Sequence, residues 1–306
     1  MKSVRTVAQL RAELAPARRA GLEVGLVPTM GSLHAGHLSL IERAREQCDF
    51  VVVSLFVNPA QFDEDADLER YPRQEQADAR LAAAAGADLL FAPAAAEVYP
   101  GGFASTVEVR GVGERLEGEA RGAEHFRGVS TVVTKLLCMT QPAVAYFGQK
   151  DAQQVTVIRR LVEDLNLPVR IEALPIVREA DGLAMSSRNA LLSAHERERA
   201  RALPDALRHA QSLVEEGERS SAAILAAVHA QLRHAGLRAD YVALVDPVSF
   251  EELPGLSEQA LLLIAARVGS VRLIDNALLG ARIGLGAAPA ACRDAEHAQE
   301  VAACSA

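Results

Sequence analysis

Residues 22–48 constrain the fold more than any other stretch. Gly25-Leu26-Val27 is a short apolar run of the kind that becomes a buried parallel strand. Pro28-Thr29-Met30-Gly31 breaks any regular repeat. From His37 onward, Leu38, Ile41, Arg45 and Cys48 share one face, with Leu40 and Ala44 beside them, which predicts an amphipathic helix. The junction between strand and helix reads GSLHAGH and crowds His34, Gly36 and His37 onto a helix start. Free backbone N–H groups and the positive end of the helix dipole gather anions there. Gly31 and Gly36 remove side chains where a phosphate or a base would approach the backbone. Two imidazoles three residues apart can face one ligand and offset charge growing on phosphorus. A single histidine at this place would serve as well as a cap or a solvated side chain; the pair favours the chemical reading.

Strands that end in polar turns recur along the chain. A first helix is expected over residues 3–20, and a β-branched strand over 50–57 that ends at Asn58-Pro59-Ala60-Gln61. In an open parallel sheet the carboxyl ends of strands line the ligand crevice, so Asn58 and Gln61 stand where a hydroxyl or carboxylate could be read. Asn-Pro is also a common turn starter. An acidic surface loop follows over 63–73, ending in Tyr71-Pro72-Arg73. Then come an Ala-rich helix over 74–86 closed by Gly86, and a strand over 88–91. Residues 106–110 read as an edge strand, and Arg121-Gly122 as a polar turn. STVVTKLLCM reads as a helix whose β-branched start points to tertiary packing or a ligand.

A strand over 143–147 runs into Gly148-Gln149-Lys150-Asp151 and a helix over 152–165, followed by a strand over 169–174. Lys150 is placed to reach a phosphate, and Asp151 or Gln154 to hold a sugar hydroxyl or polar substrate. Met185-Ser186-Ser187-Arg188 offers two hydroxyls and a guanidinium that can bind a triphosphate from the opposite side. Taken alone, that string is equally a helix cap and a surface arginine. The alternation predicts a doubly wound, Rossmann-like α/β domain over residues 1–177. Helical residues 193–235 and strands over 240–245, 260–265 and 270–274 predict a smaller α+β domain within 178–280, leaving a flexible Gly- and Ala-rich tail over 281–306.

Composition excludes several classes. The 306 residues carry 32 Lys and Arg against 40 Asp and Glu, a net charge of −8, which argues against a general nucleic-acid binder. No apolar run reaches membrane-spanning length, and charges scattered through MKSVRTVAQLRAEL argue against a secretory signal. Cys48, Cys138, Cys292 and Cys304 show no CxxC spacing, so a reducing cytoplasm is the expected setting.

Taken together and in order, VPTMGSLHAGHLSLI, SLFVNPAQF, YPR, HFRGVSTVVTKL, YFGQKDAQQ, VREADGLAMSSRN and ALLLIAARVGSVRLIDN resemble the pantothenate synthetases. These are the pantoate–β-alanine ligases of coenzyme A biosynthesis. The likeness spans roughly residues 3–278, and HAGH and MSSR are similar to the two signature loops of the wider nucleotidyltransferase superfamily that includes class I aminoacyl-tRNA synthetases. The resemblance implies an ATP-dependent, magnesium-assisted ligation through pantoyl adenylate in a homodimer.

By motif match it implies that His37, with His34 and Lys150, is catalytic. Met30, Gly31, His34, Gly36, His37, Gly148, Lys150, Asp151, Val177, Met185, Ser186, Ser187 and Arg188 would bind ATP. Gln61 and Gln154, with Val132, Val133 and Phe147 as an apolar wall, would hold pantoate. Gln61, Asn58 and Arg121 would face β-alanine. No metal ligand is assigned. Two departures stand out: Gln149 replaces the acidic residue of the family's GEKD, and the segment from Arg121 to His125 lacks the family's Pro-Gly and is one residue longer. A cofactor adenylyltransferase is the chief rival, disfavoured by FVNPAQF and RLIDN. A silent nucleotide-binding module is disfavoured by both histidines, Lys150 and Arg188 occurring together. A tRNA synthetase is disfavoured by the acidic balance and the lack of an anticodon-reading region.

Overall fold

The computed structural model describes residues 1–62, 68–69 and 71–280. The expected tail, with Cys292 and Cys304, and most of the acidic stretch after Phe62 lie outside the described residues.

Six parallel strands form the main sheet: β1 (Lys2–Val4), β2 (Val24–Thr29), β3 (Phe50–Leu55), β4 (Leu89–Phe91), β5 (Val144–Gly148) and β6 (Arg170–Leu174). Their spatial order is β1-β4-β3-β2-β5-β6. The chain steps outward from β2 through β3 to β4, then returns to the other side of β2 for β5 and β6. The order therefore reverses between β2 and β5, and a ligand crevice opens beyond the carboxyl ends of those two strands. The two turns singled out in the sequence, GSLHAGH after β2 and GQKD after β5, flank it.

Alternation along the strands fixes the layers. Leu26, Val52, Leu89, Phe91, Ala145 and Phe147 face one core, shared with α1 (Val7–Arg19), α6 (Ala123–Thr140) and α7 (Ala152–Asp164). Val27, Val51, Val53, Leu90, Val144 and Tyr146 face the other, against α2 (Ala35–Gln47) and α3 (Glu75–Ala84). Two short helices, α4 (Ala95–Val98) and α5 (Glu117–Arg121), lie between β4 and α6. The helix expected at STVVTKLLCM begins earlier, at Ala123, so its β-branched run lies inside α6, where Val129, Val132 and Val133 are all buried.

Beyond β6 come α8 (Ala194–Ala200), α9 (Ala202–Glu215), α10 (Ser221–His234) and an antiparallel sheet of β7 (Arg238–Val245), β8 (Ala260–Val268) and β9 (Val271–Leu279). This small sheet divides its side chains between two cores. Leu244, Leu262 and Ile264 pack with α9 and α10, whereas Ala243, Val245, Leu261 and Leu263 join the core beneath the six-stranded sheet.

Four sequence expectations need correction. Residues 2–4 form an edge strand before the first helix begins, capped by Thr6 and Gln9. Residues 106–110 form no strand; the Val107 N–H donates to the Thr131 Oγ1 at 3.0 Å, so this segment hydrogen-bonds to α6 instead of a sheet edge. Arg121 ends helix α5, and Gly122 at φ 88° makes the break. Within the expected surface loop Pro72 and Arg73 are exposed, but Tyr71 is half-buried: its ring stacks edge-on against Phe62 at 5.7 Å, and its hydroxyl bonds Ser187. Among the described residues no helix is long and apolar enough to cross a membrane.

Candidate active site

Helix α2 begins at Ala35, with His34 as its N-cap. The His34 Nδ1 accepts from the Gly36 N–H at 3.2 Å, and the His37 Nδ1 accepts from the His34 N–H at 3.4 Å. The two rings lie 4.1 Å apart, tilted by 33°. With both Nδ1 atoms accepting, each neutral ring carries its hydrogen on Nε2. Burial is the main force lowering the His37 pKa, to about 3, with His34 and Lys150 adding to it, although His37 keeps some accessible surface where it lines the cleft. Burial and Lys150 also lower His34. Both are therefore neutral donors at physiological pH. Gly36 leaves room for the capping ring: a Cβ there would sit 3.0 Å from the His34 Cε1.

The turn before α2 is held from a distance. Asp78, buried on α3, accepts from the Ser32 N–H at 3.0 Å and the Leu33 N–H at 2.7 Å. Gly31, at φ 93°, turns toward Leu55 and Asp78 and borders a smaller cavity, apart from the main cleft.

That cleft, of about 790 Å³, collects every other expected site residue. Met30, His34, Gly36 and His37 form one wall, and Gly148, Lys150 and Asp151 face them from the end of β5. Val177 and Met185-Ser186-Ser187-Arg188 close a third side, with the Met185 N–H bonded to the Val177 carbonyl at 2.9 Å. Ser186 does cap the short turn Ser187–Leu191, so the modest role as a cap is realised alongside its place in the cleft. Val132, Val133 and Phe147 form a buried apolar wall. Gln154 lines the cleft from the first turn of α7. Its neighbour Gln153 points inward, donating to the Val112 and Arg115 carbonyls at 2.6 and 2.7 Å. Gln149, the departure noted in the sequence, is not among the residues that line the cleft.

Gln61 owes its orientation to Asn58. The Asn58 Oδ1 accepts from the Ala60 N–H at 3.3 Å and the Tyr99 hydroxyl at 2.7 Å. Its Nδ2 donates to the Gly128 carbonyl at 3.1 Å and to the Gln61 Oε1 at 2.9 Å. Main-chain partners thus fix which end of Asn58 is which, and Asn58 fixes Gln61. The Gln61 Nε2 is left as the donor end, 3.3 Å from the Met30 Sδ. Asn58 is 1% exposed and spends its donors within the protein. Gly128 permits this contact, because a Cβ there would lie 2.1 Å from the Ala60 carbonyl oxygen.

The sequence profile described as Pantoate-beta-alanine ligase matches residues 2–278. The chain belongs to the pantoate–β-alanine ligase family. A relative from Moorella thermoacetica named pantothenate synthetase is 49% identical over 280 residues, covering 91% of this chain and 99% of its own. Another from Myxococcus xanthus, with the same name, is 52% identical, covering 90% and 96%. The crystal structure of pantothenate synthetase from Thermus thermophilus superposes with a TM-score of 0.86 at 46% identity, covering 90% of this chain and 99% of that one. A pantoate-β-alanine ligase from Francisella tularensis, solved with β-γ ATP and β-alanine, gives 0.76 at 34% identity, covering 91% and 97%.

Several side chains around this cleft were not singled out from sequence. His125 lines the cleft, and its Nδ1 lies 2.9 Å from the Gln61 carbonyl oxygen, so that nitrogen carries the hydrogen. Close to Arg121, which reaches the cleft as expected, Glu117 accepts from the Arg272 guanidinium at 2.6 and 2.8 Å and from the Tyr241 hydroxyl at 2.7 Å. Burial alone would raise the Glu117 carboxyl; Arg272, Tyr241 and Arg121 together hold it below the usual carboxylate range. Tyr71 reaches the cleft beside Ser187 and Arg188. HFRG, YPR and RLIDN carried the signal for three of these places, but only as strings without an assigned partner.

Proposed function

We propose that this cleft condenses (R)-pantoate with β-alanine at the expense of ATP, in two steps. A pantoate carboxylate oxygen attacks the α-phosphorus, the bond from that phosphorus to the bridging oxygen breaks, and pyrophosphate leaves. The free amine of β-alanine then attacks the acyl carbon of pantoyl adenylate. The bond to the phosphate oxygen breaks, AMP leaves, and the nitrogen gives up a proton as the amide of pantothenate forms. The observation that carries this reading is the pair of Nε2–H donors on His34 and His37, facing Lys150 across the crevice where the strand order reverses.

Negative charge accumulates on the α-phosphoryl during in-line attack. A fixed donor aimed at such charge is worth about 3 to 4 kcal/mol in comparable sites. His37, His34 and Lys150 take that role. Gly148 and Asp151 face the ribose, Val177 the adenine, and Met185 to Arg188 the triphosphate. Gln154 and the Nε2 of Gln61 read pantoate's oxygens, while Val132, Val133 and Phe147 match its gem-dimethyl group. Arg121 stands toward the β-alanine carboxylate, and Asn58 serves β-alanine indirectly, by orienting Gln61.

Among the described residues no group of three His, Cys, Asp or Glu side chains is assembled to hold a metal. Magnesium commonly binds through substrate phosphates with one or two carboxylates, and Asp151, exposed at the cleft, suits that role. Bound there it would neutralise phosphate charge. Residues 178–280 act as a lid that keeps water from the acyl adenylate. A cytoplasmic homodimer completes the reading, on the strength of the family resemblance.

The test is isotopic. Pantoate labelled with oxygen-18 in its carboxylate should pass one label into AMP when β-alanine is present. Unlabelled AMP with labelled pantothenate would reject the adenylate route.

A further inference from the structure

Lys150 sits on a single 3-10 turn, Gln149–Asp151, that links the end of β5 to the start of α7. A further support for this turn comes from the other end of the chain. Asn276 on β9 donates from its Nδ2 to the carbonyls of both Gln149 and Lys150, each at 3.0 Å. Asn276 is 3% exposed, so water does not compete for these bonds.

The adjacent residue grips the opposite wall of the cleft. Asp275, also 3% exposed, takes both ends of the Arg178 guanidinium at 2.7 and 3.0 Å. Arg178 pairs with Ala184 in an isolated bridge, and the Met185 N–H bonds Val177, so this contact fixes the root of the Met185 to Arg188 string. The Asp275 carboxylate is also tied to the next residue's main chain, since the Asn276 backbone N–H donates to the Asp275 Oδ1 at 2.8 Å. One dipeptide step on β9 therefore contacts both sides of the cleft, the turn that carries Lys150 and the root of the string that carries Arg188.

We infer that Asn276 is a positioning residue for the phosphoryl-transfer step, acting through the Lys150 turn and coupled by Asp275 to the Arg188 side. Its amide is the group the geometry needs. Alanine would remove the side-chain donor that the two carbonyls share, and aspartate would set an acceptor against acceptors. A displacement on the order of 1 Å at a reacting centre is enough to cost about 100-fold in rate.

This inference rests on the placement of ATP phosphates beside Lys150. The test compares the full-length wild type, Asn276→Ala, Lys150→Ala and the double variant. The readouts are pantoate-dependent pyrophosphate release, KM for each substrate, and calorimetric binding of magnesium α,β-methylene-ATP. Asn276→Ala should slow adenylation or weaken the ATP analogue on the order of 10- to 100-fold, with KM for β-alanine unchanged and a normal melting transition. In the Lys150→Ala background the same change should cost less than about threefold, because the residue it positions is gone. Equal losses in both backgrounds, or a rise in all three KM values with a lowered melting temperature, would make Asn276 a structural residue only. A wild-type analogue affinity untouched by Lys150→Ala would instead overturn the ATP placement itself.

Discussion

His34 and His37 together cap one helix, the His34 Nδ1 accepting from the Gly36 N–H at 3.2 Å and the His37 Nδ1 from the His34 N–H at 3.4 Å. One arrangement thus does two things. It satisfies N–H groups that a helix start leaves open, and it leaves each Nε2–H as the ring's remaining donor. The functions separate by substitution. Asparagine is a good N-cap, so His34→Asn should unfold within about 0.5 kcal/mol of wild type in urea titration. Pantoate-dependent pyrophosphate release should nevertheless fall at least tenfold. His37→Ala should lose about 10²- to 10³-fold in the same assay.

The depressed His37 pKa predicts a pH dependence of folding. Its unfolded value is about 6.5 and its folded value about 3, so between these pH values the unfolded chain binds a proton that the folded one refuses. Stability from this group is complete above about pH 6.5 and falls as pH drops toward 3. From pH 7.5 to 5.5 the ligand-free protein should lose about 1.4 kcal/mol through His37, and His37→Gln should not show that part of the loss. Parallel profiles for the two proteins would place the ring in water.

Gly128→Ala tests the contact under Gln61. The new Cβ would meet the Ala60 carbonyl oxygen at 2.1 Å, so either α6 or the Asn58-to-Gln61 turn must shift. We expect a loss of about 1 to 3 kcal/mol in stability. KM for pantoate should rise while ATP-analogue binding, measured by calorimetry, stays close to wild type.

The buried Glu117–Arg272 pair joins α5 to β9, with Tyr241 and Asp240 completing it. Removing the acid leaves the guanidinium with Asp240 alone. Glu117→Ala should therefore cost about 3 kcal/mol, measured by urea titration, and the loss should persist in high salt because the pair is shielded from solvent.

What can be read from the sequence depends on distance along the chain. The 3.6-residue and 2-residue periods placed most of the longer helices and strands, because Leu40, Ile41 and Ala44 or Val51 and Val53 announce their buried faces locally, whereas the short β1, α4 and α5 escaped them. The strand-then-turn sites were legible for the same reason. Partnerships were not. Asp78 sits inside an Ala-rich helix 46 residues from Ser32, and nothing nearby marks its carboxylate as the support of the histidine turn. Asn276 and Lys150 are separated by 126 residues. The expected strand over 106–110 failed because alternating Val107 and Val109 reflect packing against a helix, a pattern that period alone cannot tell from a sheet edge.

Pantoate-dependent exchange of labelled pyrophosphate into ATP, with β-alanine left out, probes adenylate formation by itself. An activated pantoate formed at the histidine–lysine crevice is reversible, so the wild type should exchange label only when pantoate is present, and Lys150→Ala should not. Exchange that required β-alanine, or that proceeded equally without pantoate, would contradict adenylate formation in this cleft.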